Sequence, residues 1–300
     1  MPLLKILSPA RKRAFQQAPK LSKEARNTYF LVDVATRKVL SKLQNDVNKV
    51  GFLVQKAYFQ AKGCFFEPKD FHNDDVKRAV KAIGIRIPID ILEYRAEAQH
   101  RHKKMILAHF NWSAYSDDKK ADLIAYAENL VAVRQHKEDI LFALVSYCWQ
   151  NKIEIPSYNQ LNEIITLTFQ DYDNQVLLHF GEKVDAEQIA SLNEYLDNFG
   201  VNFTAKELKR IDQGETQQKL QLNAKLLELY KEHFVTILPL VKSINLTDEA
   251  VKHFSDTFYL NDLSVIKRLK RDNKTFLHLS ALIKDQLRIP FYLNSHSGFI

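Results

Sequence analysis

The sequence predicts an all-α protein built as tandem helical bundles with helix-turn-helix-like units, and three observations carry that reading. Apolar residues recur at three- and four-residue spacing along most of the 300 residues. Only 7 glycines and 8 prolines punctuate the chain, so tight turns and glycine-rich phosphate loops are scarce. No alternating strand pattern or strand-helix-strand rhythm competes with the helical one. A hydrophobic fraction of 46% with 26% charged residues leaves room for two or three cores.

The elements follow in order. Ser8 and Pro9 read as an N-cap and a first helical residue, the position where the missing proline N–H costs nothing. Ala18-Pro19 ends that helix, and Ser22 caps the next. A third helix is expected over about Val34 to Leu43 and a fourth over about Asp46 to Lys62, closed by Gly63. On the fourth, Val47, Val50, Val54, Ala57, Tyr58 and Ala61 form the buried stripe. The segment Phe65 to Phe71, with Pro68, breaks the pattern and reads as a boundary. Asn73 or Asp74 then caps a helix to about Ile83, Gly84 to Pro88 makes a turn, and Asp90 caps a helix to about His109. Those two helices have the outline of a helix-turn-helix. Asn111-Trp112-Ser113 is a turn before a helix from Ser116 or Asp117 to Arg134. Helices over Glu138 to Trp149 and Ser157 to Phe180 follow, then a second boundary at Gly181 to Asp185. The remainder reads as helices at Asp185–Asn198, Thr204–Asp212, Glu215–Leu238, Thr247–Phe258, Asn261–Lys270 and Asn273–Arg288, with Pro239 breaking or kinking the longest. The expected domains are residues 1–68, 69–180 and 181–300. The ending at Ser297 to Ile300, without a charged tail, suggests a longer parent protein.

Charge is unevenly placed. Residues 1–115 carry 22 Lys and Arg against 10 Asp and Glu, whereas residues 116–300 carry 21 against 26. Such a split suits a polyanion-binding module joined to an acidic helical body, because lysine and arginine facing phosphate release condensed counterions. Lys42, Lys49 and Lys56 sit seven apart and would share one face of nearly continuous third and fourth helices. Arg95, Arg101, Lys103 and Lys104, with His100 and His102, make a dense set of donors on the helix after Asp90. Asn48 carries the amide geometry that can bond adenine bidentately in a major groove, with solvation or helix capping the equally weighted alternative.

Several classes of chemistry lack a motif. Cys64 and Cys148 are too few and too far apart for a disulfide framework or a zinc cluster, so a reducing compartment is the default. His100 and His102 diverge on a helix, and with His109 they lack a nearby cysteine to complete a metal site. No nucleophile motif, glycine loop or metal-ligand spacing points to an enzyme. Met1 to Leu7 runs at once into Arg11, Lys12 and Arg13 and lacks the apolar region of a signal peptide, and no run approaches the roughly 20 apolar residues of a membrane span. Tyr58, Phe59, Phe65, Phe66 and Trp112 lie on or beside apolar stripes and read as core. Gly51, inside a helix, reads as a point where another helix or a DNA backbone comes close, with helix packing the favoured of the two.

The stretch Asn45-Asp46-Val47-Asn48-Lys49-Val50-Gly51-Phe52, continuing through Gln55, Tyr58, Gly63, Phe65 and Pro68, resembles the segment arginine-glycine-aspartate-histidine-asparagine-arginine-leucine-glycine-phenylalanine near the N-terminus of Tn-three family transposases. Leu7-Ser8-Pro9, Ile83-Gly84-Ile85, Tyr94-Arg95, Arg101-His102 and His109 to Trp112 are similar to further family motifs, and the likeness covers about residues 5–170. Asn45, Val47 and Lys49 depart from the usual glycine or arginine, histidine and arginine. Lysine keeps charge at position 49 but not the planar fork, which favours phosphate contact there. The resemblance implies the N-terminal, non-catalytic part of a bacterial transposase that binds the terminal inverted repeats of the transposon. Double-stranded DNA is then the partner, and Arg37, Lys38, Lys42, Asn48, Lys49, Lys56, Arg95, Arg101, Lys103 and Lys104 are the expected contacts. No catalytic residue and no cofactor is expected in this chain. A divalent metal such as magnesium would belong to an Asp-Asp-Glu site further along the parent, on carboxylates converging from a mixed sheet. A homodimer through the parent and a cytoplasmic, nucleoid-associated setting are expected. A helical protein-protein scaffold and a non-specific nucleic-acid binder are the alternatives.

Overall fold

The computed structural model describes residues 3–133, 136–198, 231–244, 246–259, 263–266 and 268–294. The helix expected at Thr204–Asp212, most of that at Glu215–Leu238 and the end at Ser297 to Ile300 lie outside the described residues. The fold is all-α, and among the described residues the only strand-like pairing is a single parallel bridge between Ser113 and Ile153. No helix among them is long and apolar enough to cross a membrane.

In the first half, α1 is Pro9–Gln16, α2 Lys23–Tyr29, α3 Val34–Leu40, α4 Asp46–Lys62, α5 Asn73–Ile83 and α6 Ala96–Phe110. Short polar side chains start four of them. The Oγ of Ser8 and of Ser22 accept the N–H of Arg11 and Ala25, and Asp33 and Asn45 accept those of Thr36 and Asn48, both at 2.7 Å. Gly63 and Gly84 close α4 and α5 in the left-handed region, at φ 66° and 78°. Next come α7 (Asp117–Ala132), α8 (Lys137–Gln150), α9 (Tyr158–Lys183) and α10 (Ala186–Asn198). Ser157 and Gln160 form a reciprocal capping box before α9. The remaining described helices are α11 (Lys231–Ser243), α12 (Asp248–Tyr259), α13 (Leu263–Ile266) and α14 (Asn273–Asn294).

The chain divides into two compact units, the first ending at Thr168 and the second formed mainly by Phe169 onward. In the first, α4 is central and packs against α2, α5 and α6. Val50, Leu53, Val54, Ala57 and Tyr58 are fully buried in a core that also takes in Phe66, Phe71, Val76, Ala79, Tyr94 and Ala98. The boundary expected at residue 68 therefore does not separate two cores. Phe66 and Phe71 meet the Tyr58 ring edge-on at 5.7 and 5.6 Å, so the segment around Pro68 is packed down instead of acting as a linker. The second division falls inside α9, ahead of the one expected after residue 180.

The second unit is built on α10, α11, α12 and α14, which enclose Phe180, Tyr195, Leu240, Phe254, Leu277 and Leu282. Pro239, expected to break or kink a helix, lies inside α11 and does not end it. The buried neighbours Ile237, Leu240 and Val241 keep that helix in the core and outweigh the lost N–H.

Candidate nucleic-acid interface

The site begins with a close approach. Gly51, in the middle of α4, faces the ring of Tyr94, and any Cβ at position 51 would lie 2.6 Å from that ring. The Tyr94 hydroxyl bonds His102 Nδ1 at 2.7 Å, and His102 meets Phe52 edge-on at 5.5 Å. Burial, with Arg101 beside it, pushes the His102 imidazole down to about 4, so it is neutral near pH 7. Gln99 Nε2 donates to the Tyr94 carbonyl at 2.7 Å. The first two turns of α6 are thus fixed on the first two turns of α4. Tyr94 turning inward also explains why α6 starts at Ala96 and not near Asp90. Asp90 instead caps a 3-10 turn at Ile91–Glu93, accepting the Leu92 N–H at 3.0 Å. The connection from Gly84 to Arg95 is longer than the roughly three- to four-residue turn of a helix-turn-helix.

Between these helix starts lies a cleft of about 710 Å³. Asn45, Val47 and Asn48 line it from α4, Leu92, Glu93 and Arg95 from the connection, and Glu97 and Arg101 from α6. It holds amide, guanidinium, carboxylate and aliphatic groups in one concave surface.

The expected contacts divide sharply. Asn48, Arg95 and Arg101 meet in the cleft, and exposed Lys104 follows Arg101 one turn on along α6. Arg37, Lys38 and Lys42 are exposed on or just after α3 but contribute nothing to the cleft wall. The lysine stripe at 42, 49 and 56 is not a common face. The chain breaks between α3 and α4, Lys49 pairs with Asp46 at 2.8 Å, and Lys56 is buried at 5% exposure. Desolvation pulls the Lys56 amine below the usual lysine range, against the field of the Asp33 carboxylate that caps α3. Lys56 is therefore a structural amine. Lys103 is committed elsewhere too, pairing with Glu154 at 2.6 Å over the Phe65 ring.

Other motif residues build the frame behind the cleft. Gln55 bonds both the carbonyl and the N–H of Phe66, pinning the loop after α4. The Tyr58 hydroxyl donates to Asp75 at 2.8 Å and accepts the His72 N–H at 3.0 Å, while Arg26 Nε donates to the same wholly buried carboxylate at 2.6 Å. Gly63 lets Ile155 and Trp112 close over the end of α4, and its carbonyl accepts the Ile155 N–H at 2.9 Å. Phe59 stacks on Phe65 and meets Trp112 edge-on, as expected of core aromatics. Among the described residues no group of three His, Cys, Asp or Glu side chains could hold a metal.

Sequence reasoning missed Asn45, Leu92, Glu93 and Glu97 as cleft residues. A signal for the first existed, since Asn three residues before Asn48 is an N-cap at a helix start. Nothing local marked the others, because their place depends on Tyr94 reaching Gly51 across 43 positions of chain.

No curated protein matches the chain. A family model described as Domain of unknown function (DUF4158) matches residues 6–167, which is nearly the whole first unit and more than half of the sequence. The chain that folds Gly51 against Tyr94 to make this cleft belongs to the DUF4158 family.

Proposed function

We propose that the first unit binds duplex DNA through the cleft between α4 and α6, and that it serves as the non-catalytic, end-recognising N-terminal part of a Tn-three family transposase. The observation that carries this reading is the convergence of Asn48, Arg95 and Arg101 in one concave surface. Arginine suits guanine and asparagine suits adenine in a major groove. Exposed Lys104, Arg37, Lys38 and Lys42 add cationic surface for phosphate on the same unit. The transposase motif residues support it further, since Gly51, Tyr94 and His102 are the residues that hold this cleft in shape. In this reading strand cleavage and its divalent metal belong to a catalytic domain elsewhere in a parent protein, and the setting is the bacterial nucleoid.

The test is binding of the 300-residue chain to a duplex carrying the terminal repeat of its source transposon, against a scrambled duplex, across a salt series. A preference for the repeat that persists as salt rises supports end recognition. Equal and steeply salt-sensitive binding to both duplexes reduces the reading to a non-specific basic surface. Absence of binding to either favours a helical scaffold.

A further inference from the structure

We propose that Glu97 reads a cytosine in the major groove, accepting a hydrogen bond from its exocyclic amino group. This rests on the DNA-binding reading and names a specificity-determining residue within it. Glu97 lies in the first turn of α6 and lines the same cleft as Asn48, Arg95 and Arg101. A surface that only gripped phosphate would be weakened by a carboxylate in its wall, because the two anions repel. Base edges differ from phosphate in this respect, since cytosine presents an amino donor that a glutamate can accept from.

The carboxylate is also available. Arg101 stands four residues on, the spacing at which Glu and Arg pair along a helix, yet Glu97 forms no ion pair with it or with any other described residue. Both side chains are exposed and line the cleft. The aliphatic Leu92, 67% exposed, lines the cleft beside them and suits a thymine methyl. The N-terminal turn of a helix, where Glu97 sits, is the part that reaches base edges when a helix enters the major groove.

The competing role is structural. Glu97 carries negative charge near the start of α6, whose N-cap residue Arg95 makes no side-chain capping bond. Glu97→Gln separates the two, because glutamine keeps the size and prefers adenine in the groove. The full chain and its Glu97→Gln variant are each used to select duplexes from a randomised pool, with Glu128→Gln at an exposed position of α7 as control. The expected result is an enriched motif in which one cytosine column of the unaltered chain flattens or turns to adenine in Glu97→Gln, with roughly tenfold lost discrimination there. Glu128→Gln leaves every column in place. An unchanged motif in Glu97→Gln, with uniformly tighter binding, overturns the assignment while leaving DNA recognition standing. Failure of the unaltered chain to enrich any motif overturns both.

Discussion

Gly51 and Tyr94 compete for one volume: a methyl group at position 51 would sit 2.6 Å from the tyrosine ring, well inside van der Waals contact. The backbone of α4 is therefore the floor on which the ring lies, and the ring in turn carries His102 and the start of α6. Gly51→Ala should gain about 1 kcal/mol from helix propensity. It should lose more, about 2–3 kcal/mol, because the buried ring, held by its hydroxyl on His102, cannot retreat from α4. The net expectation is destabilisation in urea unfolding, turning into a gain of about 1 kcal/mol when Tyr94→Ala has already removed the ring. A Gly51→Ala penalty that persists in the Tyr94→Ala background would show that the close approach is not what position 51 is for.

Acid should loosen the same cluster. The His102 imidazole is pushed from 6.5 down to about 4 by burial, so between those values the unfolded chain binds a proton that the folded chain refuses. Stability is then fully present above pH 6.5 and is lost as pH falls toward 4, by on the order of 2 kcal/mol if the native contact survives. His278, also held down to about 4 in the second unit, acts in the same direction. His102→Gln should therefore reduce, and not abolish, the fall in unfolding free energy between pH 7 and 5. An acid slope identical in the variant and the unaltered chain would remove His102 from the explanation.

The fold was legible because helical spacing and caps are local. Ser8 and Ser22 announce helix starts, and Gly63 and Gly84 announce ends, within a few residues of sequence. The domain boundary was misread because Pro68 and its neighbours look like a linker locally. Their aromatic rings are claimed by Tyr58, a partner that sequence spacing does not reveal. The site was half legible for the same reason. Arg95 and Arg101 stand out by charge, but whether a lysine is a surface cation or a buried strut depends on which face of α4 the rest of the unit covers. Lys56, a seven-residue step from Lys49, falls on the covered face.

That difference among the cations can be measured. In a salt series on duplex DNA, Lys104→Ala should lower the slope of log K against log salt by about one for its lost phosphate contact, while Arg101→Ala, which removes a base-reading arginine, should lower affinity and leave the slope nearly unchanged. Lys56→Met should leave both slope and affinity unchanged, because its amine lies in the protein interior. Replacing it with an apolar side chain of similar length should also cost little stability, since its desolvation no longer opposes folding. A reduced salt slope in Lys56→Met would return that lysine to the interface.

The Arg26–Asp75–Tyr58 network predicts a non-additive pair. Asp75 is fully buried, and its two oxygens accept from Arg26 Nε at 2.6 Å and the Tyr58 hydroxyl at 2.8 Å, tying α2, α4 and α5 at one point. Arg26→Ala leaves that carboxylate in the core with the tyrosine as its remaining side-chain donor. The expected cost is about 3 kcal/mol, the lower part of the range for a broken buried pair, because the Arg26 side chain keeps partial contact with solvent. Adding Asp75→Val removes the stranded charge and replaces it with a group the surrounding Val76 and Ala79 core can pack against. The double variant should therefore be more stable than Arg26→Ala alone, although Tyr58 then loses one of its two partners and some loss remains relative to the unaltered chain. Urea unfolding of the four proteins in the cycle reads the coupling directly. A double variant that unfolds as easily as the sum of the singles predicts would mean that Asp75 is stabilised by the fold without Arg26.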